Sequence, residues 1–150
     1  MASWSEFEHA APEMAAEGRR LLGRGDPLIA TIRGDDPPSL NPISVGFVHG
    51  NLYAFILRSR KRADLLRDGR YALHAWQDPT APDEFGIRGR VRRVTDPDER
   101  ARAVAGWSFE ADESYVPFEF LIESATLGQR SADEWPPRYT TWSARDGRSD

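Results

Sequence analysis

A chain of 150 residues with no cysteine and a formal net charge of -4 is long enough for one domain with its own core. The missing cysteines exclude disulfides, thiolate metal ligands and thiol catalysis. The acidic balance argues against general nucleic-acid binding, and no apolar run reaches the roughly 20 residues of a membrane span. Glu6, Glu8 and Glu13 interrupt any signal-peptide core, so a cytoplasmic location is expected.

In chain order, Ser5 to Leu22 reads as a helical turn or two followed by a fuller helix. Pro12 suits that second start. Gly23-Arg24-Gly25-Asp26-Pro27 ends it, and Leu28 to Arg33 is the first strand. Gly34 to Pro38 turns the chain. Leu40 to Val48 is read as a second strand, with Pro42 limiting its ladder. His49-Gly50-Asn51 is a hairpin turn into Leu52 to Leu57. A short helix follows at about Arg60 to Arg67, then a strand from Tyr71 to Trp76.

Phe85 to Val94 alternates most regularly. Ile87, Gly89 and Val91 face one way, and Arg88, Arg90 and Arg92 the other, toward water or an acidic surface. Asp96-Pro97-Asp98-Glu99 supplies an N-cap, a first-turn proline and a capping-box-like glutamate for a helix to about Trp107. Val116 to Ala125 is the sixth strand, with Val116, Phe118, Phe120 and Ile122 alternating against Pro117, Glu119, Leu121 and Glu123. Tyr139 to Trp142 is a short last strand. Residues 1–144 are read as one domain and 145–150 as a disordered tail. Hairpin-length connections imply a mainly β antiparallel barrel or sandwich with flanking helices.

The feature with the most chemistry is Arg58-Ser59-Arg60-Lys61-Arg62, four cations at a helix N-terminus. That end of the helix dipole favours anions, so the cluster is unfavourable unless an anion offsets it. A phosphate is the natural one, bound by backbone N–H groups and charged donors. The alternative is a set of solvated surface charges. Lys61 is the only lysine in the chain. His9, His49 and His74 are scattered and form no metal constellation. No serine sits in a nucleophile-elbow motif.

The run Leu52 to Leu57, Ser59, Lys61, Leu65, Arg70 and Tyr71 to Trp76 is a strand, a serine–lysine corner, a short helix, a basic residue and a strand. Pro27 to Arg33 and Pro42 lie upstream, and Ile87 to Val94, with its central glycine, downstream. Together these resemble the FMN-binding split-barrel superfamily related to pyridoxamine 5'-phosphate oxidase, over about residues 12 to 123. The resemblance implies a six- or seven-stranded antiparallel split barrel. It also implies a homodimer with cofactor at the subunit interface and a small-molecule substrate.

The implied cofactor is FMN or the deazaflavin F420, ahead of haem, and the implied activity is that of an oxidoreductase. Alternatives are a non-catalytic flavin or haem store or sensor, and a cofactor-free interaction barrel. By the same resemblance Lys61 holds the cofactor phosphate, with Ser59 and Arg60 shaping the corner. Thr31 would stand beside the ring or, equally, face into the barrel, with Asn41, Pro42 and Ile43 on the next strand. Trp76 would line the pocket or bury at the interface, and Trp142 would stack on the ring. No catalytic residue is assigned.

The chain departs from the pattern in three places. The turn at Gly34 to Pro38 is longer, and Ser39-Leu40-Asn41 lacks a basic residue. The C-terminal tryptophan and arginine/histidine pattern of vitamin B6 oxidation is missing.

Overall fold

The computed structural model describes residues 1–35, 37–131, 133–145 and 148–149. Helices α1 (Trp4–Ala10) and α2 (Pro12–Leu22) open the chain. Ser3 caps α1 reciprocally: its hydroxyl accepts from the Glu6 N–H at 3.2 Å, and the Glu6 carboxylate accepts from the Ser3 N–H at 2.7 Å. Strands β1 (Leu28–Thr31), β2 (Ser39–Pro42), β3 (Gly46–Val48) and β4 (Asn51–Ile56) follow, then α3 (Arg60–Arg67). Next come β5 (Arg70–His74), β6 (Glu84–Arg93), α4 (Pro97–Ala105), β7 (Val116–Gln129), β8 (Arg138–Ser143) and β9 (Arg148–Ser149). The architecture is mainly β, a curled antiparallel half-barrel with flanking helices. Of the expected tail, 146, 147 and 150 lie outside the described residues.

The sheet runs β2-β1-β5-β6-β7-β4-β3. Its spine is β7, paired with β6 along most of its length. On its other edge, Val116 to Glu119 carry β4, while Ser124 to Gln129 carry β8. One long strand therefore hands its edge from one neighbour to another, which splits the barrel. The strand expected to end at Ala125 continues to Gln129 because β8 pairs with that extension. The strand expected over Leu40 to Val48 is broken after Pro42. Its first part pairs with β1, and its second with β4 at the opposite end of the sheet. Among the described residues, no helix is long and apolar enough to cross a membrane.

The inner face of the sheet is closed by α1 and α2. Trp4, Phe7 and Leu21 are fully buried, and the Trp4 ring meets Phe47 and Phe85 edge-on at 4.8 and 6.0 Å. Gly18 in α2 lies against the Phe85 ring, where a Cβ would stand 2.6 Å from Cε1 and 2.7 Å from Cε2. Gly→Ala in an exposed helix gains about 1 kcal/mol, but overpacking a core costs about 1–3 kcal/mol. Gly18→Ala is therefore expected to lower the urea midpoint.

A smaller cluster forms on the other side, where α4 and the chain after it cover Val48, Tyr53, Phe55 and Val94. Trp107 packs on Phe55 at 4.7 Å between ring centres. This second cover explains why β4 is buried on both faces. It also explains why Pro117 and Glu119 of β7 are buried alongside Phe118 and Phe120.

Surface carboxylates set the acid limb of stability. Hydrogen bonds from Arg70 hold Asp68 down to about 2, and those from Arg92 hold Glu99 below its ordinary value. Folded values below unfolded ones contribute stability that is present above the ordinary carboxylate range and lost as pH falls through the folded values. Urea midpoints are therefore expected to drop between roughly pH 5 and pH 2. Asp68→Asn should reduce that drop.

Candidate functional site

The β4–α3 corner is built by Ser59, whose extended backbone and hydroxyl cap the helix by accepting from the Arg62 N–H at 3.3 Å. No acidic residue occupies the first turn of α3. The four cations divide by role. Arg62 donates to the carbonyls of Ile56 at 3.2 Å and Ser114 at 2.9 Å, so it staples the turn to the chain before β7. Arg58 and Arg60 are exposed and make no hydrogen bond or ion pair with a described residue. Lys61 reaches across to β2 and donates to the Pro42 carbonyl at 2.9 Å, with no carboxylate in ion-pair range among the described residues. Partial burial pulls the Lys61 ammonium below its ordinary value, and the charge of Asp26 opposes that.

The helix is fixed from beneath. Asp64, buried on the inner face of α3, accepts from Thr31 Oγ1 at 2.9 Å and pairs with Arg67 at 3.2 Å and Arg33 at 3.7 Å. Arg67 also donates to the Ile32 carbonyl at 2.6 Å. Thr31 is thus spent on holding α3 to β1.

The structure brings Ser59, Arg60, Lys61 and Pro42 together at one corner. Asn41 and Ile43 flank Pro42, but their side chains turn inward. Asn41 donates to Ser39 Oγ at 2.8 Å, and Ile43 is buried. Trp76 follows β5 and lies half-exposed over the backbone of Gly25, where a Cβ would stand 3.6 Å from the indole. Trp142 is buried in the main core against Phe7, with ring centres 4.9 Å apart.

Beside the corner, the outer face of the sheet forms an open cleft of about 1480 Å³. Leu28 and Ala30 of β1, Leu40 of β2, and Ala72 and His74 of β5 line it, with Arg88 of β6. Leu40 is 65% and Leu28 43% exposed, an apolar surface that none of the described residues covers. Sequence reasoning missed this cleft because it is shared by strands far apart in the chain. The visible part of the signal was Arg88, on the outward phase of the clearest alternation.

A second polar cluster lies between β4, β6, β7 and α4. Arg92 bonds the carboxylates of Glu99 and of buried Glu119, the latter at 2.5 Å, and Tyr53 Oη lies 3.5 Å from Glu119. Burial raises the Tyr53 phenol, helped by Glu119, and the bond to Glu99 raises the Arg92 guanidinium. Each cation there meets its anion, so this seam ties α4 to the sheet. Arg92, on the arginine face of β6, thus meets an acidic partner in Glu119, whereas Glu123 makes no ion pair among the described residues. Among the described residues, no group of three His, Asp or Glu side chains could hold a metal.

This fold is shared with solved structures. The chain superposes over its whole length on a pyridoxamine 5'-phosphate oxidase-related, FMN-binding protein from Nostoc punctiforme, covering 96% of it with a TM-score of 0.67 and 12% identity. A Clostridium acetobutylicum protein of the pyridoxinephosphate oxidase family, related to a Bacillus subtilis general stress protein, aligns over 89% of this chain and 96% of its own. Its TM-score is 0.66 and its identity 13%. A haem-binding protein from Mycobacterium smegmatis gives a TM-score of 0.66 and 12% identity over 88% of this chain, which spans only 58% of that protein. No family model and no curated protein matches the sequence. The fold is the pyridoxamine 5'-phosphate oxidase-like split barrel.

Proposed function

We propose that this protein is an FMN- or F420-dependent oxidoreductase acting on a small molecule, as a homodimer with the cofactor between subunits. The observation that carries this reading is the α3 N-terminus. Among the described residues, Lys61 there is bound only to a backbone carbonyl, beside Arg58 and Arg60 without partners and an acid-free first turn. Such donors fit a phosphate group. The cofactor, when bound, supplies hydride or two-electron transfer. Lys61 and Arg60 would hold its phosphate, and the Pro42 carbonyl positions the Lys61 ammonium beside β2. Ser59 fixes the helix start. Because β2 is an edge strand, the backbone groups on its unpaired side can hydrogen-bond a ring edge. The exposed Leu28 and Leu40 suit the flat face of such a ring, or the second subunit.

Titrating the protein with FMN and with F420 tests this. One of them is expected to bind, and Lys61→Ala should weaken it by about 10–100-fold, the value of a charge-assisted hydrogen bond. Affinity should also fall as alkaline pH removes the Lys61 proton, beginning below the ordinary lysine value because burial lowers it. Sedimentation should give a dimer. Binding of neither cofactor overturns the reading. The fold shared with the mycobacterial haem-binding protein supports a second reading, a cofactor store without turnover. A Soret band on haem addition, with no FMN or F420 binding, would select it.

A further inference from the structure

We propose that the outer cleft binds a flat aromatic carboxylate bearing a ring hydroxyl, with Arg88 taking the carboxylate and His74 the hydroxyl. This names a substrate class for the oxidoreductase and rests on that reading for its catalytic meaning. Size is the first support. At about 1480 Å³ the cleft exceeds the roughly 300–1,000 Å³ of an ordinary small-molecule pocket. There is room for a cofactor ring near β2 and a second flat molecule over β5 and β6.

The floor is the second support. Ala30 and Ala72 face each other across β1 and β5, and Gly86 stands opposite His74. Three small residues in adjacent strands leave a flat, partly apolar bed.

The polar groups at its edge are aimed by their own partners. Arg88 donates through Nε to Ser124 Oγ at 2.9 Å, which leaves both terminal nitrogens without a partner among the described residues. That fork matches a carboxylate. Nδ1 of His74 donates to the Ala75 carbonyl at 2.8 Å, so in the neutral imidazole Nε2 is the acceptor left on the ring. Arg88 lies opposite Ala72, two residues from His74 on β5, so the two side chains are diagonal neighbours about 7–8 Å apart on one face. That spacing suits the two ends of a small aromatic acid. The other charged residues lining the cleft are Arg145 and Glu123, so Arg88 leaves it net positive.

The test uses three naphthalene probes, read by calorimetry on the full chain: 6-hydroxy-2-naphthoate, 2-naphthoate and 2-naphthol. The hydroxy acid is expected to bind best. Arg88→Gln should weaken both acids about tenfold and leave 2-naphthol unchanged. His74→Phe should remove the advantage of the hydroxy acid over 2-naphthoate and change 2-naphthoate little. Equal affinity for the acids in wild type and Arg88→Gln, or no binding of the hydroxy acid, overturns the proposal. Binding is measured separately from the FMN and F420 titrations. A protein that binds the acid through Arg88 but binds neither cofactor fails the oxidoreductase reading alone. The reverse pattern fails this one alone.

Discussion

Gly89→Ala is expected to cost about 3 kcal/mol or more and to lower the melting temperature by about 6–12 °C. Gly89 sits where the β6–β7 register shifts, opposite Ile122. A Cβ there would collide with the Leu121 carbonyl oxygen and stand 3.0 Å from both Leu121 C and Glu123 N. All three are backbone atoms of the spine strand, so no side-chain rotation relieves the clash. The Leu121 carbonyl is also held by the buried Tyr71 hydroxyl at 3.1 Å. Relief requires moving β7 itself, to which β4, β6 and β8 are all paired. Gly86→Ala on the same strand is the control. Its Cβ would meet His74 Cδ2 at 3.5 Å, an ordinary contact, and stability should change by less than about 0.5 kcal/mol. Equal melting temperatures for Gly89→Ala and wild type would show that the bulge is not tight.

Asp64→Ala is expected to cost about 2–3 kcal/mol, near the lower end for removing one partner of a buried pair, because Arg67 is half-exposed. The loss leaves the Thr31 hydroxyl, 1% exposed, without its acceptor, and Arg33 and Arg67 without a counter-ion. Asp64→Asn keeps an acceptor for Thr31 and should cost less. Thr31→Val with Asp64→Leu should cost less than the sum of the two single changes, because the pair then has nothing left unsatisfied. The same network anchors the helix that presents Lys61. Asp64→Ala should therefore weaken cofactor binding as well as stability, whereas Lys61→Ala should weaken binding and leave the urea midpoint nearly unchanged. If Asp64→Ala and wild type unfold at the same urea concentration, Asp64 is not the anchor.

The corner was legible because its information is local. Ser59 as a cap and three adjacent cations on an acid-free helix start can be read from five consecutive residues. Their division of labour could not be. Arg62 is taken by carbonyls at Ile56 and Ser114, and Lys61 by Pro42, partners up to 52 residues away in the chain. For Thr31 the sequence leaves a place beside a ring and an inward barrel position equally open. Its side chain is committed to Asp64, a pairing that β1 and α3 create only when packed. Trp142 showed the same ambiguity, since a large aromatic in a polar stretch must be buried somewhere. The pairing Ala125 with Trp142 directs it into the core against Phe7.

The sequence by itself determined the local grammar. It set the caps at Ser59 and Asp96, the alternation of β6, the turns at His49-Gly50 and Gly34, and the cationic helix start. These rest on backbone conformation and on periods of two and 3.6 residues, which neighbouring residues carry. Tertiary structure decided which faces are covered. It sent the two halves of the Ser39 to Val48 segment to opposite ends of the sheet, the first paired with β1 and the second with β4. It buried both faces of β4 under α1 and α4, and left the outer face of β1, β5 and β6 open as a cleft. Burial is a property of what packs against a face, and that partner lies elsewhere in the chain.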